Sequence, residues 1–417
     1  MTAPDEAVEV LVVGAGPAGA AVAAALADNG HRVVVVDRAA APGEKACGEL
    51  ITPRAVVALD RCGVPHGRLG EFHSISHVRL TTGSGSATTR WPTHDLYPDH
   101  AFVAPRERFD QLLVDRAVEA GATVLRGHDA TAPIVDRGFV HGAHVTRDDG
   151  SSIEIRAAYT VVADGANSRF GRALGTYRQP TWPSALAHRA IFPSALHDAA
   201  EIEIVLDLDD RAGTPITGYG WMFPRGDGTA NVGVLMMSTS PSFRVVQPAH
   251  LLERLVTDNG ARWHLTGDPV HPPAGGRIPL GASVGPAAGP TYLVVGDAAG
   301  AANPLSGAGI EYAIETGVLA GSVLDEALRA GHGASLQRYP RLLDERYGPY
   351  FKVGRLVDRL LGRPGVARRV ANTAASRPAF ARTLVRITSN SLRPGRPGAA
   401  ELAYRIGAAI TSVAPDA

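Results

Sequence analysis

The sequence predicts an α/β protein with a second, β-rich part and a helical C-terminal segment, and three observations carry that prediction. A buried apolar run, Val8 to Val13, enters Gly14-Ala15-Gly16-Pro17-Ala18-Gly19 and then an alanine-rich stretch. Alternating apolar and polar residues recur between 185 and 237, as in Glu201-Ile202-Glu203-Ile204-Val205 and Asn231-Val232-Gly233-Val234. Beyond residue 350 the chain is arginine-rich with leucines at helical spacing.

The opening element is the most specific. A strand, a glycine-rich turn, a helix over Ala20 to Asn29 closed by Gly30, a second strand from Arg32 to Val36 and a terminal acid, Asp37, form the complete dinucleotide fingerprint of a Rossmann-like domain. Each residue has a physical task there. Gly14 makes the tight turn, Gly16 lets backbone approach a pyrophosphate, and Gly19 lets helix and strand pack closely. The helix N-terminus at Pro17 and Ala18 attracts phosphate, and Asp37, followed by Arg38, is placed to hold a ribose hydroxyl.

The middle reads differently. Residues 72 to 90 are extended around a Gly/Ser turn at 83–86, Phe109 to Ala120 is a helix, and Ala122 to Leu125 is a strand. Phe139 to Val145 and Ser152 to Ile155 pair as a hairpin across Asp148-Asp149-Gly150. Tyr159 to Ala163 is apolar and ends in Asp164-Gly165, and the strand Thr291 to Val295 ends in Gly296-Asp297 before a long loop and a helix near Gly309. The Pro/Gly-rich stretches 271–290 and 393–399 are the linker candidates.

Composition bounds the rest. With 417 residues, 45% hydrophobic and 20% charged, the chain can build a large core and two domains, which excludes disorder as its main state. Two cysteines, Cys47 and Cys62, exclude a disulfide scaffold, and no zinc-type Cys/His spacing occurs; no metal is expected. No apolar run reaches the length of a spanning helix and the N-terminus lacks a basic signal-peptide start, so a cytoplasmic location is expected. The net charge of zero hides an asymmetry. Residues 351–400 hold eleven basic residues (Lys352 and ten arginines) and one acid, Asp358, giving +10 there and −10 elsewhere. Three readings stay open for this segment: docking on an anionic membrane at its inner face, holding a diphosphate, or pairing with the acidic remainder. Leu356, Leu360 and Leu361 beside Arg355, Arg359 and Arg363 suggest helices apolar on one side and cationic on the other. No recognised nucleic-acid module accompanies the charge, so nucleic acid is not an expected partner.

Four motifs in order resemble the FAD-dependent oxidoreductase family shared by aromatic hydroxylases, flavin halogenases and geranylgeranyl reductases. They are the fingerprint; Arg106-Glu107-Arg108-Phe109-Asp110; Ala163-Asp164-Gly165; and Gly296-Asp297-Ala298-Ala299-Gly300 with Asn303-Pro304-Leu305-Ser306-Gly307-Ala308-Gly309-Ile310. Two stretches narrow the resemblance to geranylgeranyl reductases and, among them, menaquinone reductases: Glu44-Lys45-Ala46-Cys47-Gly48 with Thr52-Pro53-Arg54, and Tyr219-Gly220-Trp221-Met222-Phe223-Pro224. The halogenase signature W-x-W-x-I-P is absent. The loop Leu305 to Gly309 stands where Phe-Asn-Gly-Glu-Gly is common.

The resemblance implies FAD as cofactor. It implies that Asp297 holds the ribityl or pyrophosphate part and that backbone of the loop around Pro304, Gly307, Ala308, Gly309 and Ile310 meets the isoalloxazine ring. Arg106 is expected at FAD or in an ion pair on its own helix, and Asp164 as support for the FAD domain. Lys45, Ala46, Cys47 and Gly48 are expected on the cofactor, with Cys47, Tyr219 and Trp221 as the substrate-pocket and catalytic candidates; a small buried hydrophobe at Cys47 and core packing of the aromatics are the plain alternatives. Cys62, outside any motif, is expected to be a buried hydrophobe. The implied domains are a discontinuous FAD-binding domain (1–75, 100–170, 275–330), a β-rich substrate domain (76–99, 171–274) and the basic helical segment 331–417. The implied activity is reduction of carbon–carbon double bonds in an isoprenoid chain, with electrons from NAD(P)H, a ferredoxin or a flavin reductase. The rival is an FAD monooxygenase acting on a small natural product.

Overall fold

The computed structural model describes residues 8–210, 213–393, 395 and 397–412. Arg396 of the basic segment, and residues 1–7 and 413–417 at the ends of the expected domains, lie outside them.

The apolar strands assemble as their composition dictates, buried on both faces in a parallel arrangement. Val8–Val13 lies between Val33–Asp37 and Ser152–Val162; Thr123–Arg126 extends one side and Tyr292–Val294 the other, all parallel. Ser152–Val162 is long enough to serve twice. Its first half pairs antiparallel with Phe139–Arg147, which pairs in turn with His128–Asp136. Val10 and Val12 face a core built from the helices Pro17–Ala27, Arg106–Glu119 and Ile310–Ala330, while Leu11 and Val13 face the antiparallel strands. The helices Pro17–Ala27 and Ile310–Ala330 touch backbone to backbone: a Cβ on Gly317 would collide with the Ala18 carbonyl, and one on Gly321 with Ala25.

Parallel strands finish on the same edge. Gly14, Asp37, Asp164 and Gly296-Asp297 all stand just beyond the carboxyl ends of their strands, where open α/β sheets bind ligands. Motifs separated by more than a hundred residues therefore meet.

A second sheet of seven strands runs in the order Ala274–Pro279, Ser184–Pro193, Thr229–Met237, Gly218–Pro224, Glu201–Val205, His77–Thr82, Gly85–Arg90. It is antiparallel except where Glu201–Val205 meets His77–Thr82. One expectation is corrected here. The stretch 271–290 is no free linker, and the segment assigned to the FAD domain from residue 275 begins on the other sheet, because Ala274–Pro279 hydrogen-bonds along the edge strand Ser184–Pro193. Alternation sorts the side chains of this sheet. Trp221 and Phe223 point into one core, and Met222 packs on the other face against Leu251, Leu252 and Leu255 of the helix Pro248–Asn259.

The C-terminal segment is helical, as Tyr339–Leu361, Pro364–Ser376, Pro378–Thr388 and Ala399–Ser412. The second of these helices lies against His77–Thr82 and Gly85–Arg90, and the third against Gly85–Arg90. A proline opens each of the first three, where its missing N–H costs nothing.

Candidate active site

The glycine turn is built for close approach. Gly14 has φ +107°, a conformation that L side chains rarely adopt, and a Cβ there would strike the Ala163 carbonyl. A Cβ on Gly19 would strike the Gly14 carbonyl, whereas a Cβ on Gly16 would meet nothing within 4 Å. Two glycines are thus required by packing and the one between them faces open space, as a pyrophosphate lying on the backbone needs. Helix Pro17–Ala27 has no side-chain cap on its N-terminus, so its first N–H groups are free for an anion. Asp37 accepts hydrogen bonds from the N–H groups of Ala15 (2.7 Å) and Ala39 (2.8 Å), which fixes its carboxylate beside the glycine turn with acceptor capacity to spare for a ribose. Arg38 beside it is exposed. Asp164 accepts from the Phe170 N–H with one oxygen (2.9 Å), and its other oxygen is buried without a partner. These features fit a dinucleotide running along the carboxyl edge of the sheet.

Arg106 makes the ion pair on its own helix. Its guanidinium grips Asp110 through two bonds of 2.9 Å, the i,i+4 pair, and it also acts on Cys47 and Asp297. Burial pushes the Asp297 carboxyl up, and Arg106 works against that shift. Glu49, fully buried, sits on the same loop; one oxygen accepts from the Arg106 N–H and the other faces Arg225 at 3.0 Å.

Cys47 and its neighbours are held by the second sheet. Asn231 donates to the Cys47 carbonyl (2.9 Å) and accepts from the Trp221 indole N–H (2.9 Å). A Cβ on Gly48 would press on the Phe223 ring. The Lys45 carbonyl accepts from Arg189, whose buried guanidinium is also paired with Glu44; the Lys45 side chain is exposed, and Ala46 lies over Gly276. The Cys47 thiol is pushed up by burial, with Arg106 pulling it back. Cys62 is buried in the core and pushed up to about 11 by burial.

The loop after Pro304 is set by Asn303, whose side chain accepts from the Leu305 N–H and donates to the Thr388 carbonyl, while its backbone bonds Gly307 and Ala308. Tyr219 donates its hydroxyl to the Ser306 carbonyl at 2.5 Å. Gly309 ends the loop as the N-cap of Ile310–Ala330, again without a side-chain cap, so this helix too presents bare N–H groups.

Between this loop, Cys47 and the aromatic face of the second sheet lies a cavity of about 300 Å³. Its walls include Tyr219, Trp221, Phe223, Leu235 and Ile278, and the C-terminal helices close it with Leu361, Leu384 and Val385. The expected candidates Cys47, Tyr219 and Trp221 therefore share one space with Pro304, Gly307, Ala308, Gly309 and Ile310. Two acids in its wall escaped the sequence reading. Glu311 and Asp358 are 1% and 2% exposed, and burial pushes each carboxyl up to about 7. Their signal in the sequence was an acid one helical turn from another charged residue, Glu315 beside Glu311 and Arg355 beside Asp358, on a face that is otherwise largely apolar. Asn231 escaped for the same reason, as a lone amide in the run Thr229–Met237.

The basic segment is thinned by the fold. Arg355, expected on a cationic face, is buried: it donates to the Gly281 carbonyl (3.0 Å) and lies 3.9 Å over the Trp182 ring, because its helix turns that side inward. Arg386 donates to the carbonyls of Thr93 and Ser391, and Arg368 and Arg393 pair with Asp209 and Glu401. Arg359, Arg363, Arg369, Arg377 and Arg382 remain exposed and make no salt bridge among the described residues. Leu360, expected on the apolar side, is exposed among them with Val366. No helix among the described residues is long and apolar enough to cross a membrane.

Known proteins agree with this geometry. The FAD binding domain family matches residues 7–205. A menaquinone reductase of Mycobacterium tuberculosis is 33% identical over 397 residues, covering 93% of this chain and 92% of the relative. A digeranylgeranylglycerophospholipid reductase of Methanopyrus kandleri is 33% identical over 366 residues, covering 85% and 90%. Among solved structures, a geranylgeranyl bacteriochlorophyll reductase-like protein of Thermoplasma acidophilum superposes with a TM-score of 0.77 at 22% identity, covering 91% and 95% of the two chains. A flavin-dependent brominase superposes at 0.71 with 16% identity, a likeness of fold alone. With its nucleotide cradle, its apolar cavity and relatives aligned over nearly the whole length, this chain belongs to the geranylgeranyl reductase and menaquinone reductase family of FAD-dependent oxidoreductases.

Proposed function

We propose that this enzyme saturates carbon–carbon double bonds in an isoprenoid chain, of the geranylgeranyl or polyprenyl-quinone type. The observation that carries the reading is the cavity. Its walls are mainly aliphatic and aromatic, and on the strand Gly218–Pro224 the aromatic polar atoms are already spent: the Tyr219 hydroxyl on Ser306 and the Trp221 N–H on Asn231; the buried Trp91 N–H in the same wall has no partner among the described residues. Such a wall grips an apolar chain and offers little to orient a polar aromatic ring. The relatives' names point the same way.

In this reading FAD would lie along Gly14, Gly16, Pro17, Ala18, Gly19, Asp37 and Arg38, pass Arg106, Asp164, Gly296 and Asp297, and end between Lys45 to Gly48 and the loop Pro304 to Ile310. When reduced, it supplies the hydride. The protein's part is to seat the alkene, keep water out and hold a proton ready, because an isolated alkene is a poor hydride acceptor. The bare N-terminus of Ile310–Ala330 favours negative charge at the adjoining end of the ring. Electrons would come from NAD(P)H, a ferredoxin or a flavin reductase.

The exposed arginines with Leu360 and Val366 suit an anionic membrane, the phase in which such a substrate dissolves. Arg359 and Leu360 sit on Tyr339–Leu361 and Arg382 on Pro378–Thr388, the two helices that line the cavity. We propose on this ground a peripheral position on the inner face of the membrane. The test of function is anaerobic. The flavoprotein is reduced with dithionite, menaquinone and geranylgeranyl diphosphate are added separately, and products are weighed. Gains of two hydrogens per double bond are expected. Product that forms only in air and gains oxygen would replace this reading with the monooxygenase.

A further inference from the structure

Glu311 occupies the first turn of Ile310–Ala330, directly after the loop that closes on the cavity, and it is part of the cavity wall. Neither of its carboxylate oxygens reaches hydrogen-bond geometry with the protein, although Thr52 and the residue's own N–H stand near enough to favour its charged form. One turn further on, Glu315 is fully served. Arg54 donates to both its oxygens (2.9 and 2.8 Å), and Tyr347 donates to one of them (2.9 Å). Arg54 is thus consumed by Glu315, and Glu311 is left as a lone acid in an apolar, buried space. The other acidic groups of the pocket are worse placed. The single hydroxyl proton of Tyr219 is held by the Ser306 carbonyl, the Cys47 thiol is driven away from ionisation by burial, and Asp358, on the helix Tyr339–Leu361, has one oxygen engaged by Thr239 at 3.0 Å and only the other unpartnered.

We propose that Glu311 is the proton donor of the reaction: its carboxyl protonates one alkene carbon as the other receives hydride. The proposal rests on the reductase reading above. The step balances. The π bond breaks and two C–H bonds form, one from the hydride with its electron pair and one from the carboxyl proton. The hydride's two electrons would come from reduced FAD, left as FAD and reduced again by the external donor, and the Glu311 carboxylate recovers its proton from water after product leaves.

Physical chemistry supports both halves of the cycle. Burial pushes the carboxyl up to about 7, so it is loaded at neutral pH, and an acid works best with a pKa near the working pH. The charged and titratable groups around it are Arg54 from Pro53–Arg61, Glu315 and Tyr312 from its own helix, Tyr350 from Tyr339–Leu361, and Asp358 elsewhere in the cavity wall. Arg54, Thr52 and the residue's own N–H pull against burial, and Glu315 adds to it. After transfer, the carboxylate sits in the first turn of an uncapped helix, where the dipole favours it.

The experiment uses the full-length FAD-loaded protein and its variants Glu311→Gln, Glu311→Asp and Asp358→Asn. The wild type, reduced and mixed anaerobically with menaquinone or geranylgeranyl diphosphate, is expected to lose rate as pH rises through about 7. Glu311→Gln is expected to bind FAD normally, to react at least about 100-fold more slowly and to lose that pH limb; Glu311→Asp restores part of both. A second readout needs no turnover. The infrared carbonyl band of protonated carboxyls, in substrate-free protein, is expected to titrate near neutral pH with two components, one missing from Glu311→Gln and the other from Asp358→Asn. A Glu311→Gln variant with wild-type rates, loss of FAD in that variant, removal of the pH limb by Asp358→Asn instead, or an active wild type without the Glu311 component of the infrared band each overturns the assignment. A wild type that shows that component but reduces neither compound overturns the reductase reading, and the donor role falls with it.

Discussion

At the scale of single residues, the glycine turn and the buried ion pair make sharp predictions. Gly14→Ala and Gly19→Ala each drive a methyl group into a backbone carbonyl. Both variants are expected to purify with little bound flavin, read as flavin absorbance per mole of protein. Glu315→Gln leaves the Arg54 guanidinium buried without its carboxylate, a change that costs about 3–5 kcal/mol in comparable sites. Denaturant unfolding should show that loss; a stability equal to wild type would mean that Arg54 finds water instead. Burial pushes Glu315 up, but Arg54 outweighs it and the carboxyl ends below its ordinary value, which marks the pair as charged in the folded state.

At the scale of elements, three pieces of chain meet at the cavity for different reasons. Gly218–Pro224 contributes Tyr219, Trp221 and Phe223 because a strand repeats every two residues. The alternation was legible in the sequence, and the common face follows from it. Pro378–Thr388 contributes Leu384 and Val385 because its apolar stripe needs cover against the second sheet. That contact was not legible, since a helix stripe announces burial without naming its partner. Leu384→Trp should fill part of the cavity. KM for a long isoprenoid is expected to rise about tenfold, equivalent to about 1.4 kcal/mol, while flavin content stays unchanged. An unaltered KM would remove this helix from the substrate wall.

At the scale of the whole molecule, pH and charge are the levers. Glu311 has an ordinary value of 4.5 and stands at about 7 when folded, so the native protein binds the extra proton between those values. Its contribution to stability therefore falls as pH rises from about 4.5 to 7 and is constant above, by at most on the order of 3 kcal/mol. Glu311→Gln removes that slope, and its melting temperature relative to wild type should be higher at pH 8.5 than at pH 5. The arginine face predicts a different response. Arg359, Arg363 and Arg369, replaced together by serine, should weaken sedimentation with phosphatidylglycerol vesicles by roughly 100-fold, at about 1 kcal/mol for each residue near the surface. Binding by the wild type should fade as salt is raised.

The sequence by itself determined the nucleotide cradle, since the spacing of Gly14, Gly16, Gly19 and Asp37 is a local rule of strand, turn and helix. It also determined the α/β class and the family, which four short motifs carry. Only the tertiary structure decided the rest. Whether Arg355 reaches solvent, whether 274–279 joins a sheet, and which of Glu311 and Glu315 obtains the single guanidinium of Arg54 depend on neighbours from distant parts of the chain. Two glutamates one turn apart look alike in a sequence. Burial with a partner makes one a fixed charge, and burial without one makes the other an acid.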